Sequence, residues 1–163
     1  MDERTNPLSH LDSRGRLRMV DVSGKRESRR TAVAEGSIRM AQGTFEAIRD
    51  GETPKGEVLQ VARIAGIQAG KKTGELIPLC HLLPGVSFSV DVDLDPTLPG
   101  IRVRATATLS GQTGVEMEAL TASSVALLTI YDMAKAMDRG MSLEGIRLVA
   151  KEGGQSGSWS RED

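Results

Sequence analysis

The sequence predicts an α+β domain in which a four-stranded antiparallel sheet carries its helices on one face. Three observations predict it. The run from Val86, VSFSVDVDL, alternates strictly: Val86, Phe88, Val90, Val92 and Leu94 fall on one side, and Ser87, Ser89, Asp91 and Asp93 on the other. After the turn DPTLPG, the run IRVRATATL from Ile101 alternates again, so the two runs form a hairpin with one buried face. Helical spacing both precedes and follows the hairpin. From residue 31 the order is therefore strand, helix, strand, strand, helix, strand, the split βαβ or ferredoxin-like arrangement. That fold alone fixes no function.

Each element has its own reason. Met19 to Ser23, MVDVS, reads as a short strand, and Thr31 to Met40 as a longer one weakened by Gly36. Phe45 to Asp50 is a short helix stopped by Gly51. Glu57 to Lys72 is a full helix, with Val58, Val61, Ala62, Ala65 and Ala69 on its stripe. Thr113 and Glu116 have capping-box spacing and open a long helix that ends near Gly140, about 37 Å on. Its middle, ALTASSVALLTIYDMAKAM, is apolar or small on nearly every side, as in a helix buried all round. A domain this small does not easily surround such a helix, so a partner subunit is expected over one face. Ile146, Leu148 and Ala150 close the block as a last strand. Residues 1–18 are expected as a flexible N-terminal arm, 19–152 as a single catalytic domain, and 153–163 as a flexible Gly/Ser-rich tail.

Composition removes several functions. Lys and Arg number 21 against 22 Asp and Glu, a balance unlike that of a general nucleic-acid coat protein. Phe45, Phe88, Tyr131 and Trp159 are the only aromatics, too few for a single-strand stacking platform. The single cysteine, Cys80, forms no internal disulfide and fits a reducing compartment. The polar N-terminus has no apolar stretch of signal-peptide type, and no run approaches the ~20 residues of a membrane helix. The expected location is the cytoplasm.

Asp132 and Lys135 are the unusual charges. They sit three apart on the apolar helix, hence on one face. They form either a structural ion pair at the helix end or a catalytic pair. In the second case an apolar wall lowers the lysine pKa while the carboxylate raises it, which suits a proton shuttle. Tyr131 shapes the same pocket or simply packs in the core. Glu116, Met117 and Glu118 open the helix, where acids also complement its dipole. Glu118 and Asp132 are fourteen residues apart and face nearly the same way, but about 21 Å apart along the axis. If both are functional, each pocket combines ends from different subunits. Cys80 and His81 end the segment ELIPLCH. Adjacent residues seldom face one ion and only one other histidine, His10, exists, so no metal site is expected. His81 is the better acid–base or hydrogen-bonding candidate. Lys55, Lys25, Arg29, Arg30 and Lys151 stand in glycine-flanked settings and are either solvated surface charges or parts of a polyanion site. GIQAGKKTG is not a P-loop, because it lies within a helix rather than before one.

Four segments together resemble one family closely. They are MVDVSGK from Met19, KGEVLQVARIAGIQAGKKTGELIPLCH from Lys55, GQTGVEMEALTASSVALLTIYDMAKA from Gly111, and RLVAKEGGQSG from Arg147. They resemble the MoaC family, the cyclic pyranopterin monophosphate synthases of molybdenum-cofactor biosynthesis, over residues from about 8 to 157. The sequence departs from the family pattern at Leu82, where proline usually follows the histidine, and at Gln155, where lysine is common. The resemblance implies a lyase that converts (8S)-3',8-cyclo-7,8-dihydroguanosine 5'-triphosphate to cyclic pyranopterin monophosphate and releases pyrophosphate. The substrate would come from the radical S-adenosylmethionine enzyme MoaA. The resemblance also implies a homohexamer, a trimer of dimers with active sites at the dimer interface, and no resident cofactor. Mg2+ accompanying the triphosphate stays open, since no motif supports it. By motif position, Asp132 and Lys135 match the family's active-site aspartate and its partner lysine. Leu79, Cys80, His81, Met117 and Glu118 fall on substrate-contacting segments, and Lys55, Glu116 and Lys151 on further active-site positions. Lys55, Lys151 and Arg30, with Lys25 nearby in sequence, would neutralise the triphosphate.

Two other classes use the same fold. A ligand-sensing regulatory module would dimerise and release its ligand unchanged. An RNA-recognition domain needs aromatics on its central strands, and Ile101 to Leu109 has none.

Overall fold

A computed structural model describes residues 14–17, 19, 24, 26–154 and 157–162. The expected strand over Met19–Ser23 lies outside the described residues apart from Met19, and so does Lys25. Strand β1 (Ser28–Arg39) starts earlier than its hydrophobic pattern, because Ser28 already pairs with Gly111 and Thr31 with Glu152 on the strands to either side. Along it Ala32, Ala34 and Ile38 are buried and their neighbours half-exposed, the alternation of a sheet covered on one face.

Helix α1 (Gln42–Arg49) stops at Gly51, which adopts φ +74°. Helix α2 (Val58–Lys71) is followed by a single turn, α3 (Thr73–Leu76), where the buried Thr73 hydroxyl donates to the Gly70 carbonyl at 2.9 Å. Strands β2 (Ser87–Asp95) and β3 (Gly100–Gly111) form the hairpin, with Val90 opposite Ala105 and Val92 opposite Val103. Helix α4 (Glu116–Ala134) and strand β4 (Ser142–Glu152) complete the repeat.

The sheet order is β2-β3-β1-β4-β5 and every pair is antiparallel. The first four strands have the ferredoxin-like order, as expected. The fifth, β5 (Trp159–Ser160), corrects the strand count. It lies in the stretch expected as a flexible tail and pairs with Ala150 and Lys151 on the otherwise open edge of β4. Two residues carry no alternation, so only the available edge reveals the pairing.

Two further expectations change at α4. Thr113 and Glu116 form no capping box: Val115 is the N-cap, without a side-chain cap. The Glu116 carboxylate pairs instead with Lys151 at 3.2 Å. The helix also ends at Ala134 with Lys135 as its C-cap, well before Gly140. Asp138 explains the stop. Its carboxylate accepts from the Gly140 and Ala41 N–H groups, both at 2.8 Å, closing a local turn and tying it to the chain between β1 and α1.

The core lies between the sheet and the α2–α4 layer. Ile38, Ile101, Val103, Leu127 and Ile130 are fully buried there, each contributing roughly 1.5–3 kcal/mol of transfer free energy. Gly36, which weakens β1 on propensity, sits where a Cβ would lie 2.8 Å from Leu127 Cδ1. Gly66 on α2 similarly faces the Ala122 carbonyl of α4 at 2.9 Å, so the two helices approach closely over small residues. One side of α4 stays uncovered within the single chain. Leu128 is 55% exposed, alongside exposed Ile64 and Val61 of α2.

Candidate active site

The C-terminal end of α4 collects three charges. The chain after α1 turns at Thr53–Gly56, where the Gly56 N–H donates to the Thr53 carbonyl and Gly56 adopts φ +83°. This turn delivers Lys55 to the helix end. Its ammonium meets Asp132 Oδ2 at 2.8 Å and also donates to the Asp132 carbonyl at 3.1 Å. Lys135 meets Asp132 Oδ1 at 2.6 Å. One carboxylate is thus gripped on both oxygens, and both ammoniums sit at the negative pole of the helix. The hydrogen bonds from Lys135 and then Lys55 hold the Asp132 carboxyl down at about 2.

The apolar wall expected around this pair is absent. Lys135 follows the last helical residue, and the side chains of Asp132 and Lys135 are about half exposed. Tyr131 serves the chain turn instead, donating to the Arg139 carbonyl at 3.0 Å while its ring packs on the core.

The N-terminal end of α4 collects a second group. Glu118 is buried, and that burial, with the Glu116 charge nearby, raises its carboxyl above the ordinary range. Cys80 follows a turn in which its N–H donates to the Ile77 carbonyl at 3.0 Å. Burial first, and the Glu118 charge second, push the Cys80 thiol up, so it stays protonated near neutral pH. Leu79 and His81 flank it, half-buried, and Met117 is exposed on the first turn of α4. Beside them the Glu116–Lys151 pair borders a polar cavity of about 130 Å3, also lined by Arg30, Thr31, Gly114 and Gly153.

The structure therefore joins Lys55, Asp132 and Lys135 in one cluster, Glu116 with Lys151 and Arg30 in another, and Cys80 with Glu118 beside the latter. It does not join the two ends of α4, which stand about 21 Å apart between Glu118 and Asp132. Thr31, Gly114 and Gly153 line the polar cavity although none of them carries a charge that marks it in the sequence. The glycine-rich segments before α4 and after Lys151 mark the two glycines in the sequence. A larger cavity, about 470 Å3, lies on the open face of the sheet among Glu35, Arg102, Arg104 and Arg147, away from every one of these residues. Among the described residues no group of three His, Cys, Asp or Glu side chains is placed to hold a metal ion, and no helix is long and apolar enough to cross a membrane.

A ferredoxin-like α+β scaffold with a lysine-gripped aspartate at one end of a helix, a buried glutamate at the other and no aromatic residue on its central strands β1 and β3 lacks the stacking surface of an RNA-recognition domain. Residues 19–154 match the MoaC family, and the chain belongs to it. A cyclic pyranopterin monophosphate synthase from Novosphingobium aromaticivorans is 62% identical over 154 residues, spanning 94% of this chain and 97% of that protein. The enzyme of the same name from Chloroflexus aggregans is 54% identical over 163 residues, covering 100% of this chain and 99% of its own. That from a Nostoc species is 55% identical over 152 residues, covering 93% and 90%.

Proposed function

We propose that this chain is a cyclic pyranopterin monophosphate synthase, a lyase of molybdenum-cofactor biosynthesis. It converts the cyclised dihydro-GTP supplied by the radical S-adenosylmethionine enzyme MoaA into cyclic pyranopterin monophosphate and pyrophosphate. The observation that carries the site assignment is the Asp132 carboxylate held between Lys55 and Lys135. The reaction opens the purine five-membered ring, forms the pyranopterin and closes a cyclic phosphate. In the last step a hydroxyl oxygen bonds to the α-phosphorus, the bond to the β-phosphate oxygen breaks, and pyrophosphate leaves. The hydroxyl proton needs a base, and the leaving group needs positive charge.

The two ends of α4 divide that work. At about 2, the Asp132 carboxyl is too weak a base to take a proton near neutral pH. Its role is to hold two ammoniums at a fixed spacing, and Lys135 is then the proton donor during ring opening and closure. Glu118, raised by burial, is the better matched acid–base group. Lys55 and Lys151 supply charge to the phosphates, and Glu116, Leu79, Cys80, His81 and Met117 line the substrate. Lys25 joins this set through its place in the MVDVSGK motif.

Each site is divided between two copies of the chain, because one copy cannot span the distance between the ends of α4. The exposed Val61, Ile64 and Leu128 give a partner copy an apolar helix face to cover. The assembly is a homohexamer built as a trimer of dimers, working in the cytoplasm. The reaction has no net redox step, so no resident cofactor is assigned. Turnover after chelation with EDTA checks whether Mg2+ accompanies the triphosphate.

The direct test is incubation with the cyclised nucleotide followed by mass spectrometry. Wild-type protein is expected to yield the cyclic monophosphate and pyrophosphate. Lys135→Ala and Asp132→Asn are expected to lose turnover by about 10²-fold or more while keeping a folded oligomer. Near-normal product formation by either variant would remove that residue from the mechanism.

A further inference from the structure

We propose that Arg30 is a positioning residue that acts through Glu116 and Lys151, and not a ligand of the substrate phosphates. The proposal rests on the synthase reading above. Arg30 lies on β1 opposite Leu109 of β3, next to Thr31, whose partner on β4 is Glu152. It therefore sits where two loops leave the sheet side by side. One runs from the end of β3 into α4 and leads to Glu116 and Glu118 on the first turn of that helix. The other follows Lys151 at the end of β4.

The guanidinium is committed to both loops. Its Nε–H donates to the Gly111 carbonyl at 2.9 Å and its Nη2 to the Gln112 carbonyl at 3.1 Å. One edge of the planar fork thus grips two consecutive carbonyls of the first loop. The other edge rests on the second loop. A Cβ on Gly154, which adopts φ +78°, would lie 2.2 Å from Arg30 Nη1, and one on Gly153 would lie 2.1 Å from the Arg29 carbonyl. The second loop favours glycine twice because both residues adopt positive φ, and at Gly153 the Arg29 carbonyl also leaves no room for a Cβ.

What the brace holds is the Glu116–Lys151 pair, which joins the same two segments. Glu116 folds back over Gly114, where a Cβ would lie 1.9 Å from Oε2. Its carboxylate therefore depends on the path of the β3–α4 loop, and Arg30 fixes that path. A lysine in place of Arg30 would bring charge but no fork, so it cannot hold two adjacent carbonyls at once.

The test compares Arg30→Gln and Arg30→Lys for turnover and for binding of inorganic tripolyphosphate by calorimetry. Both variants are expected to lose about 10²-fold in kcat and to lose tripolyphosphate affinity alike, by no more than Lys151→Ala loses, because the brace positions Lys151. Arg30→Gln added to Glu116→Gln is expected to cost little more than Glu116→Gln alone, because both changes act on one unit. Loss of tripolyphosphate affinity in Arg30→Gln with recovery in Arg30→Lys would overturn the proposal in favour of a phosphate ligand. Fully additive losses in the double variant would overturn it too. Should Arg30→Gln fail to fold, Arg30→Lys decides alone: low kcat with tripolyphosphate affinity reduced no further than in Lys151→Ala supports the brace, and wild-type kcat or a larger affinity loss overturns it. A wild-type protein that makes no product overturns the synthase reading and this proposal together. An active wild type with additive losses overturns this proposal alone.

Discussion

Asp132 and Glu118 are carboxylates on one helix whose surroundings pull them in opposite directions. Asp132 is lowered from 3.8 to about 2 by its two lysines, so the stability it contributes is present above its unfolded value and lost as pH falls through that window. Glu118 is raised from 4.5, chiefly by burial, so the folded protein holds its proton more tightly than the unfolded chain. Stability therefore falls as pH climbs from 4.5 through the folded value. Glu118→Gln is expected to raise Tm at pH 7, with a smaller gain at pH 4, while turnover drops. Melts at the two pH values read this, and a variant less stable than wild type at pH 7 would show that a partner stabilises the charge. Ser123 offers a cleaner gain. Its hydroxyl is fully buried in α4 with no hydrogen-bond partner. Ser123→Ala removes that orphan and improves helix propensity, for about 1 kcal/mol or about 2–4 °C in Tm. A fall in Tm on thermal denaturation would mean that the hydroxyl is satisfied.

At the scale of elements, α4 organises the molecule, and its contact with α2 is set by small residues. Ala62, Gly66 and Ala69 of α2 are buried, and Gly66 touches the α4 backbone. Gly66→Ala would place a Cβ 2.9 Å from the Ala122 carbonyl, which is backbone and cannot swing aside. It is expected to cost about 1–3 kcal/mol despite the better helix propensity of alanine, measured as a lower urea midpoint at unchanged m. An unchanged midpoint would mean that the helices can separate freely. The elements legible in the sequence were those whose signal is local. The alternation through Val90, Val92, Val103 and Ala105 marked both hairpin strands and their buried face, while their register is seen only in the folded sheet. The ends of α4 were not legible, because both are decided by distant partners: Lys151 takes Glu116 out of a capping box, and Asp138 closes the helix by reaching Ala41. The site divides in the same way. Asp132 and Lys135 stand out as charges on an apolar helix. The contact of Asp132 with Lys55, 77 residues away, exists only once α1 and its following turn dock beside α4.

At the scale of the whole molecule, the separation of the two ionic clusters makes a prediction that a single mutant cannot test. Glu118 and Asp132 turn 1400° apart, about 40° short of four full turns, so they face one way at about 21 Å separation. No small substrate reaches both within one chain. Two copies packed antiparallel through the exposed helix face would set the N-terminal end of one α4 beside the C-terminal end of the other, making two equal sites related by a twofold axis. A Glu118→Gln copy and a Lys135→Ala copy would then be complementary. In the mixed dimer one site receives both lesions and the other receives neither. Random reassembly makes about half of the dimers mixed, and half of their sites intact, so about a quarter of wild-type activity should return from two inactive parents. The experiment dissociates and reassembles the two variants, confirms mixed oligomers by native mass spectrometry, and assays product. Mixed oligomers without recovered activity would place both residues in the same copy's site or remove one of them from it. Activity that appears only after mixing assigns the opposite ends of α4 to one shared pocket.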